Sequence, residues 1–421
     1  MSNLSVQPVS RLTAPVLVLN VHFLSSGHAW RSGKEDGRNP HRLETHLKQA
    51  RQAAEAGIDI LFQAYFSGVN RERVRRGPWN PPFEPFQLAA VTTAAVPGIT
   101  VMPTVSTLHT HPFTTARALA SLDRLSQGRV AFNLVTSFRS GSAVGVRRTI
   151  AREQRHAQTR EYIDLLRALW QSWPPEANVP DLESGRFIRD DLIADVEHAG
   201  EFYQQHGPLD LPPLSRQFPQ LMVPAGSLAG LRLAAQTADY VFGAAPTLSA
   251  AKRLRAALRS ETAAAGRDPS SVRLVLGNYI YVDGANGPQR PDAVRDEDLL
   301  ALQQALVKDI PSLGIDKLAL SDPLPVLFPD SPEETLRSCG TRASGLWELA
   351  RRPDQSVREF LAAAALQGEH PSFTGSAEQI AAELTRWIHE GGADGFQFIL
   401  GNDFDALCET IVPALRRLTI K

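Results

Sequence analysis

Eight short runs of apolar residues recur along the chain, and a segment with apolar residues at helical spacing follows almost every one of them. The predicted strands are 16–21, 58–63, 100–105, 129–135, 220–224, 240–243, 273–282 and 396–400. Strands that alternate with helices form parallel sheets with right-handed crossovers. Eight such units predict an α/β fold of the TIM (β/α)8 barrel type rather than an open sheet.

A barrel of eight strand–helix units fits the 421 residues as one domain, because such barrels range from roughly 200 to more than 400 residues. We therefore predict a single domain over residues 1–421. Two segments, at about 174–219 and 284–370, are too long to be ordinary barrel loops. We predict that both are insertions over the C-terminal face of the strands, where barrels carry their active sites.

Composition excludes several classes of protein. The formal net charge is -1, and we find no basic cluster of the kind that binds nucleic acid or an acidic membrane. The two cysteines, Cys339 and Cys408, are far apart, which argues against a disulfide framework and favours a reducing cytoplasm. We predict neither a membrane span nor a metal site, since long apolar runs are absent and His109-x-His111 is a weak metal motif.

The stretch from Leu122 to Ser137, L-D-R-L-S-Q-G-R-V-A-F-N-L-V-T-S, combines a helix end, a glycine stop and a buried strand. Its strand presents Asn133, Thr136 and Ser137 at or just beyond the C-terminal end. Three small polar side chains at that place are suited to hydrogen bonding with a flat heteroaromatic ligand or a phosphate. The alternative to a ligand site is an ordinary turn, in which these polar groups form hydrogen bonds within the protein.

Further polar residues follow other predicted strands, and a barrel would bring them to the same mouth. The first strand leads to His22 and His28, and the third leads to His109 and His111. For any one of these histidines, a surface or hydrogen-bonded role is the more common reading. Gly226 and Ser227 open a helix directly after the fifth strand, and helix N-termini bind phosphate readily. His156 lies on the long helix of residues 152–170, facing either the site or solvent.

Four segments together resemble the bacterial luciferase-like flavin monooxygenases, and within them the nitrilotriacetate, dibenzothiophene sulfone and long-chain alkane monooxygenase group. The stretch at residues 121–137 resembles the family signature, and three other segments agree with it in the expected order. They are Gly27-His28-Ala29-Trp30-Arg31, Glu201-Phe202-Tyr203 with Gly207-Pro208-Leu209, and Thr374-Gly375-Ser376 with Ala393-Asp394-Gly395-Phe396. The resemblance extends over about residues 16–418.

This resemblance implies a TIM barrel that uses reduced FMN, supplied by a separate NAD(P)H-dependent flavin reductase, together with O2. Members of the family insert one oxygen atom into a carbon, sulfur or nitrogen centre of a small organic substrate. In such enzymes the cofactor carries the oxygen chemistry, and the protein provides orientation and excludes water. The resemblance also implies a homodimer or homotetramer.

The resemblance further implies the residues of the site. The isoalloxazine side would be lined by Ala64, Asn133, Val135, Thr136 and either Thr104 or Thr107. Gly226 and Ser227 would bind the phosphate. His28, or alternatively His22 or His111, would hydrogen-bond or protonate the bound oxygen, for which a histidine pKa near 6.5 is suitable.

Among the positions that depart from the family pattern, two keep alternatives open. His156 stands where the family commonly has a tyrosine that contacts the phosphate, and Leu228 stands where it has a second serine or another small polar residue. The phosphate site could therefore be rearranged around His156. One alternative is a catalytically altered luciferase-like subunit that binds a flavin or another ligand. The other is an F420-dependent oxidoreductase on the same fold.

Overall fold

The structure is a computed structural model. It describes residues 14–20, 42–64, 83–136, 154–212, 214, 218–283, 296–309, 313–325, 346, 349–351, 354–367, 370–399 and 404–418. The predicted site residues His22, His28 and Ser137 lie outside these ranges. None of the helices in the described ranges combines the length and the apolar character that a membrane crossing requires.

Thirteen strands are present in the described ranges. They are β1 Val16–Asn20, β2 Ile60–Gln63, β3 Thr100–Ser106, β4 Ala131–Val135, β5 Asn178–Asp181, β6 Arg186–Ile188, β7 His198–Ala199, β8 Gln204–Gln205, β9 Gln220–Pro224, β10 Tyr240–Gly243, β11 Arg273–Val282, β12 Ser372–Gly375 and β13 Gly395–Phe398.

The helices surround these strands. They are α1 Leu43–Ala56, α2 Pro85–Ala95, α3 Pro112–Ser126, α4 Arg155–Gln171, α5 Leu228–Thr237, α6 Leu248–Ala264, α7 Asp296–Asp309, α8 Val357–Gln367, α9 Ala377–His389, α10 Phe404–Ala406 and α11 Val412–Leu418. A π-helical segment, Leu407–Ile411, joins α10 to α11.

Eight of the strands form a closed parallel barrel. Their order around the ring is β1, β2, β3, β4, β9, β10, β11 and β13, and β13 pairs with β1 to complete the circle. Each of these pairings is parallel. The predicted TIM barrel is therefore confirmed.

Residues alternate between the two faces of the barrel wall, as the side-chain period of two requires. In β1, Leu17 and Leu19 join the large core between strands and helices, whereas Val16 and Val18 join a smaller cluster inside the barrel. The inner cluster also includes Ile60, Phe62, Ala64, Met102, Ala131, Met222, Tyr240 and Val275. The interior is therefore a packed apolar core along most of its length.

The two long segments between barrel elements contain structure of their own. Between α4 and β9, two antiparallel pairs are formed, β5 with β6 and β7 with β8. Between β11 and β12, α7 and α8 enclose a separate apolar cluster that includes Leu299, Leu306 and Phe360. The sequence pattern did not predict β12, which pairs in parallel with the second half of β11.

A repeated aspartate contact ties the strands together at the N-terminal end of the barrel. An aspartate directly precedes each of β2, β10 and β13, and its side chain accepts the backbone N–H from the second residue of a neighbouring strand. The pairs are Asp59 Oδ2 with Leu17 N (2.8 Å), Asp239 Oδ2 with Leu221 N (2.8 Å) and Asp394 Oδ2 with Leu274 N (2.9 Å).

Arginines complete two of these contacts. Arg255 Nε donates to Asp394 Oδ1 at 3.0 Å, and Arg416 Nη2 donates to Asp59 Oδ2 at 2.5 Å. Sterics explain why a glycine follows Asp394. A Cβ on Gly395 would lie 2.3 Å from the carbonyl oxygen of Val16. The Asp-Gly pair of the family-like segment is thus explained by barrel closure.

Removing the Asp394 carboxylate is expected to destabilise the fold. In Asp394→Ala, the N–H of Leu274 and the guanidinium of Arg255 lose their acceptor, so the free energy of unfolding should fall by about 2–4 kcal/mol. Asp394→Asn keeps one acceptor oxygen, and we expect a smaller loss. Urea denaturation followed by circular dichroism measures both variants.

The Arg117–Asp210 ion pair is the matched control, because its side chains are 56% and 51% exposed, whereas those of Arg255 and Asp394 are each 17% exposed. Asp210→Ala should cost less than about 1 kcal/mol. If Asp394→Ala proved as stable as Asp210→Ala, the carboxylate would not be what holds these strands together.

Candidate active site

The barrel interior changes from apolar to polar towards the C-terminal ends of the strands. Continuing the alternation of each strand, the inward positions near that end are Asn20 in β1, Thr104 and Ser106 in β3, Asn133 in β4 and Gln397 in β13. All five are buried, with no more than 6% of their surface exposed. Polar groups thus gather at the end where barrels bind their ligands.

Asn133 and Thr104 form the centre of this polar layer. They are register partners on β4 and β3, and Asn133 Nδ2 donates to Thr104 Oγ1 at 3.1 Å. Asn133 Oδ1 is buried and has no hydrogen-bond partner among the described residues. Because a buried acceptor without a partner is costly, this oxygen is suited to a ligand that donates an N–H or O–H group.

Other residues predicted for the flavin side lie on the same part of the ring. Ala64 directly follows β2, Val135 ends β4 and Thr136 follows it, and the N–H of Thr107 donates to the carbonyl of Val135 at 3.1 Å. The hydroxyl of Thr107 is buried without a partner in the described ranges. The structure therefore brings Ala64, Thr104, Thr107, Asn133, Val135 and Thr136 to three adjacent strand ends. Their roles toward a flavin stay predictions.

The predicted phosphate residues lie where β9 leads into α5. Ser227 is the N-cap of α5, and its Oγ accepts the N–H of Gly230 at 3.2 Å. The hydroxyl still carries a proton that it can donate, and the first N–H groups of the helix have no partner within the helix. Gly226 and Leu228 flank this serine and are partly buried, and His156 lies in the first turn of α4.

His111 has a structural function at the start of α3. Its Nδ1 accepts the N–H of Phe113 at 3.2 Å, which makes His111 the N-cap of the helix. Its ring meets the edge of Tyr203, with the ring centroids 5.7 Å apart. Burial lowers the pKa of His111, while a hydrogen bond with the Gln204 backbone opposes the change. A catalytic role of His111 stays a prediction, as do those of His22 and His28.

A buried hydrogen-bond network beside Thr107 was not predicted from the sequence. Gln158 Nε2 on α4 donates to Tyr203 Oη at 2.8 Å, and Tyr203 Oη donates to the carbonyl of Thr107 at 3.0 Å. Gln158 Oε1 is buried without a partner in the part of the chain that the structure describes. Tyr203 belongs to the family-like segment Glu201-Phe202-Tyr203, and that motif was the signal that could have identified it.

Glu161 fixes the backbone of this segment to α4. Its Oε1 accepts the N–H of Tyr203 at 2.8 Å, and its Oε2 accepts the N–H of Phe202 at 3.1 Å. Burial alone would raise the pKa of Glu161, but hydrogen bonds from His198, Tyr203 and Phe202 hold it below the ordinary value. A Cβ at Gly200 would lie 2.1 Å from Glu161 Oε1, so a larger residue there would displace the carboxylate from the N–H groups that it binds.

Two more polar groups that the sequence analysis missed lie on the other side of the ring. His370 packs against Gly277 of β11, and Gln397 of β13 is in register with that glycine. Gln397 Oε1 and His370 Nδ1 are buried without hydrogen-bond partners among the described residues. Within the described ranges, no three His, Cys, Asp or Glu side chains come together as a metal ion would require.

A family model described as luciferase-like monooxygenase matches residues 21–395 of the chain. The N-acetyl-S-(2-succino)cysteine monooxygenase of Bacillus subtilis (strain 168) is 25% identical over 409 residues, which cover 94% of this chain and 91% of that protein. Nitrilotriacetate monooxygenase component A of Aminobacter aminovorans is 28% identical over 342 residues. These residues cover 79% of this chain and 74% of that protein.

Comparison of structures gives the same fold. DmoA from Hyphomicrobium sulfonivorans superposes with a TM-score of 0.80 at 24% identity, covering 96% of this chain and 88% of that one. The resemblance drawn from the four segments is therefore confirmed, and the alternatives of an altered binding subunit or an F420-dependent enzyme are not favoured. The match spans most of the chain and agrees with the barrel, and the chain therefore belongs to the luciferase-like monooxygenase family, as a flavin-dependent monooxygenase.

Proposed function

We propose that the chain binds reduced FMN, supplied by a separate NAD(P)H-dependent flavin reductase, and transfers one oxygen atom from O2 to a small organic substrate. The name of one relative, nitrilotriacetate monooxygenase component A, supports a system of more than one component. Reduced FMN, when bound, supplies the two electrons with which O2 yields one inserted oxygen atom and one water molecule. The protein's own contribution is to bind, orient and exclude water.

The observation that carries this proposal is a group of buried polar atoms at or beside the ends of β3 and β4 that have no partner among the residues the structure describes. Asn133 Oδ1, Thr107 Oγ1 and Gln158 Oε1 belong to this group. Each such atom costs about 1–3 kcal/mol if it stays unpaired. One edge of a flavin ring carries N–H groups and carbonyl oxygens, so Asn133 and Thr107 fit it as acceptor and donor, with Ala64 and Val135 giving apolar contact.

The start of α5 is proposed to hold the phosphate. The Ser227 hydroxyl and the N–H groups of the first turn can donate to its oxygens, and the helix dipole favours a negative charge there. Gly226 allows a ligand to approach the backbone closely, because glycine has no side chain. We propose His156 as a further donor in place of the family's tyrosine, and Leu228 as an apolar contact.

The segment that contains Tyr203 is proposed to exclude water from the mouth. Hydrogen bonds fix its backbone to Glu161 and its hydroxyl to Gln158 and Thr107. We propose that the chain acts as one domain and that its two insertions, residues 174–219 and 284–370, cover the mouth. His28, with His22 or His111 as the other candidates, would hydrogen-bond or protonate the bound oxygen.

Three further proposals concern the protein as a whole. The family resemblance supports a homodimer or homotetramer, which light scattering can measure. A reducing cytoplasm would suit a chain with only Cys339 and Cys408, and it contains the NAD(P)H that the reductase needs. Ser137, next to Thr136, is proposed as an additional hydrogen-bond donor to the flavin.

Asn133→Ala should weaken the binding of reduced FMN. The substitution removes the Oδ1 acceptor and the hydrogen bond to Thr104, and loss of about 1–3 kcal/mol would raise the Kd roughly 5- to 150-fold. Anaerobic titration followed by flavin absorbance measures the Kd. Asn178→Ala, in the β5–β6 hairpin, is the matched control and should leave it unchanged. An Asn133→Ala variant with the parental Kd would exclude Asn133 from the flavin site.

Tyr203→Phe should speed the release of hydrogen peroxide when the complex with reduced FMN meets O2. Loss of the hydroxyl removes one hydrogen bond from Gln158 Nε2 and one from the Thr107 carbonyl, and it leaves the longer bond of 3.3 Å between these two groups, so water can enter the mouth more easily. We expect a several-fold higher rate in a stopped-flow peroxide assay, with the Kd for FMN changed by less than about threefold.

Tyr240→Phe is the control for this experiment, because the Tyr240 hydroxyl donates to Gln220 Oε1 (3.0 Å) at the N-terminal end of the barrel. It should release hydrogen peroxide at the rate of the parent protein. Equal rates for Tyr203→Phe and the parent would mean that the Tyr203 segment does not keep water out.

A further inference from the structure

His370 is held beside β11 by the backbone of the strand that follows it. The N–H of Tyr279 donates to the carbonyl of Pro371 at 3.0 Å, and Tyr279 is in register with Ser372, the first residue of β12. His370, the residue before Pro371, is therefore fixed next to β11, where the partner of that strand changes from β13 to β12. The position of His370 is a consequence of this strand pairing.

The imidazole of His370 enters the barrel mouth over a glycine. Gly277 is two residues after Val275, which belongs to the interior cluster, so Gly277 faces the interior as well. A Cβ at Gly277 would lie 2.7 Å from His370 Cε1 and Nδ1, and 2.8 Å from Phe242 Cε2. The two rings therefore occupy the space that any larger residue at position 277 would fill.

Four rings from β10, β11 and the segment just before β12 form a column, which we call the aromatic column. They are Phe242, His370, Tyr279 and Tyr281. The centroid distances are 5.4 Å from Phe242 to His370, 6.2 Å from His370 to Tyr279 and 6.5 Å from Tyr279 to Tyr281. All four side chains are partly buried rather than enclosed. The column thus offers flat apolar surface to the mouth.

The aromatic column carries no charge at neutral pH. Burial lowers the pKa of His370 to about 4, although a hydrogen bond with the Gly277 backbone opposes this change, so its imidazole is neutral. Burial raises the pKa of Tyr281, and the neighbouring Tyr279 adds to this, so that phenol stays protonated. The nearby Gln397 is also uncharged, and its Oε1 and His370 Nδ1 are buried without partners in the described ranges. Both atoms are therefore suited to a hydrogen bond with a bound molecule.

The aromatic column faces the residues that we assign to the flavin. Those residues are at the ends of β2, β3 and β4 and at the start of α5, whereas the column lies on β10, on β11 and just before β12. A flavin bound on the first side would leave the second side to the molecule that is oxidised. This step rests on the proposed function, because it uses the proposed place of the flavin.

We propose that the aromatic column is the substrate-binding wall, that it selects an uncharged substrate with a flat apolar part, and that His370 forms a hydrogen bond to that substrate. This class differs from the nitrilotriacetate in the name of one relative, which carries several carboxylates. Aromatic side chains bind flat apolar groups well, and a neutral imidazole provides one donor and one acceptor without attracting anions.

The test uses methyl phenyl sulfoxide as the uncharged flat probe and nitrilotriacetate as the anionic one. Saturation-transfer NMR on the full chain, with and without reduced FMN under anaerobic conditions, measures binding of each probe without any turnover. We expect the sulfoxide to bind at least tenfold more tightly than nitrilotriacetate. His370→Phe keeps a ring in the column but removes both nitrogens, and it should weaken sulfoxide binding about tenfold.

Two variants separate hydrogen bonding from packing. His370→Asn retains a donor and an acceptor and should restore part of the sulfoxide affinity, which a purely structural role would not do. His389→Phe changes an exposed histidine at the end of α9 and should change nothing. Equal sulfoxide affinity in His370→Phe and the parent would overturn the proposal, as would tighter binding of nitrilotriacetate.

The Kd for reduced FMN, measured on the same samples, keeps this inference apart from the proposed function. If His370→Phe binds reduced FMN as the parent does but loses the sulfoxide, the substrate wall is supported. If the parent binds the sulfoxide but not FMN, the proposed function fails while the column stands as a binding site. A His370→Phe variant that loses FMN and keeps the sulfoxide would place His370 on the flavin side and overturn the inference.

Discussion

The parallel barrel depends on polar satisfaction at its N-terminal end. There, Asp59, Asp239 and Asp394 each accept a backbone N–H from a neighbouring strand, and arginines pair with two of them. At the C-terminal end, Asn133 and His370 are among the residues with buried polar atoms that lack partners within the described ranges. Because an unpaired buried polar atom costs about 1–3 kcal/mol, the atoms at the C-terminal end favour a bound ligand.

The alternation of strands and helices was sufficient to predict the barrel, because apolar periodicity is a property of the local sequence. The predicted eighth strand, residues 396–400, was found in the structure as β13. The predicted helix stop at Gly128 was one residue late. The C-cap of α3 is Gln127, which takes a left-handed conformation with φ of 56° before Gly128 does the same.

The parts of the site that sequence reasoning missed are contacts between distant segments. Tyr203 contacts Gln158 and Thr107 only because two short strands fold back on α4. His370 enters the mouth only because β12, a strand of four residues, adds to the second half of β11. A segment so short carries too little periodicity to be recognised, and nothing in the local sequence links His370 to Gly277. These residues needed the tertiary structure.

The family-like motifs combine two kinds of residue that the structure separates. Asp394 and Gly395 belong to a motif near the end of the chain, yet their contacts close the barrel and lie away from the mouth. Asn133, in the signature segment, has an open acceptor at the mouth. A motif match alone therefore does not identify a ligand contact. The deciding property is whether the polar atoms of the side chain already have hydrogen-bond partners within the fold. By this criterion His370, which belongs to none of the motifs, is a candidate ligand contact.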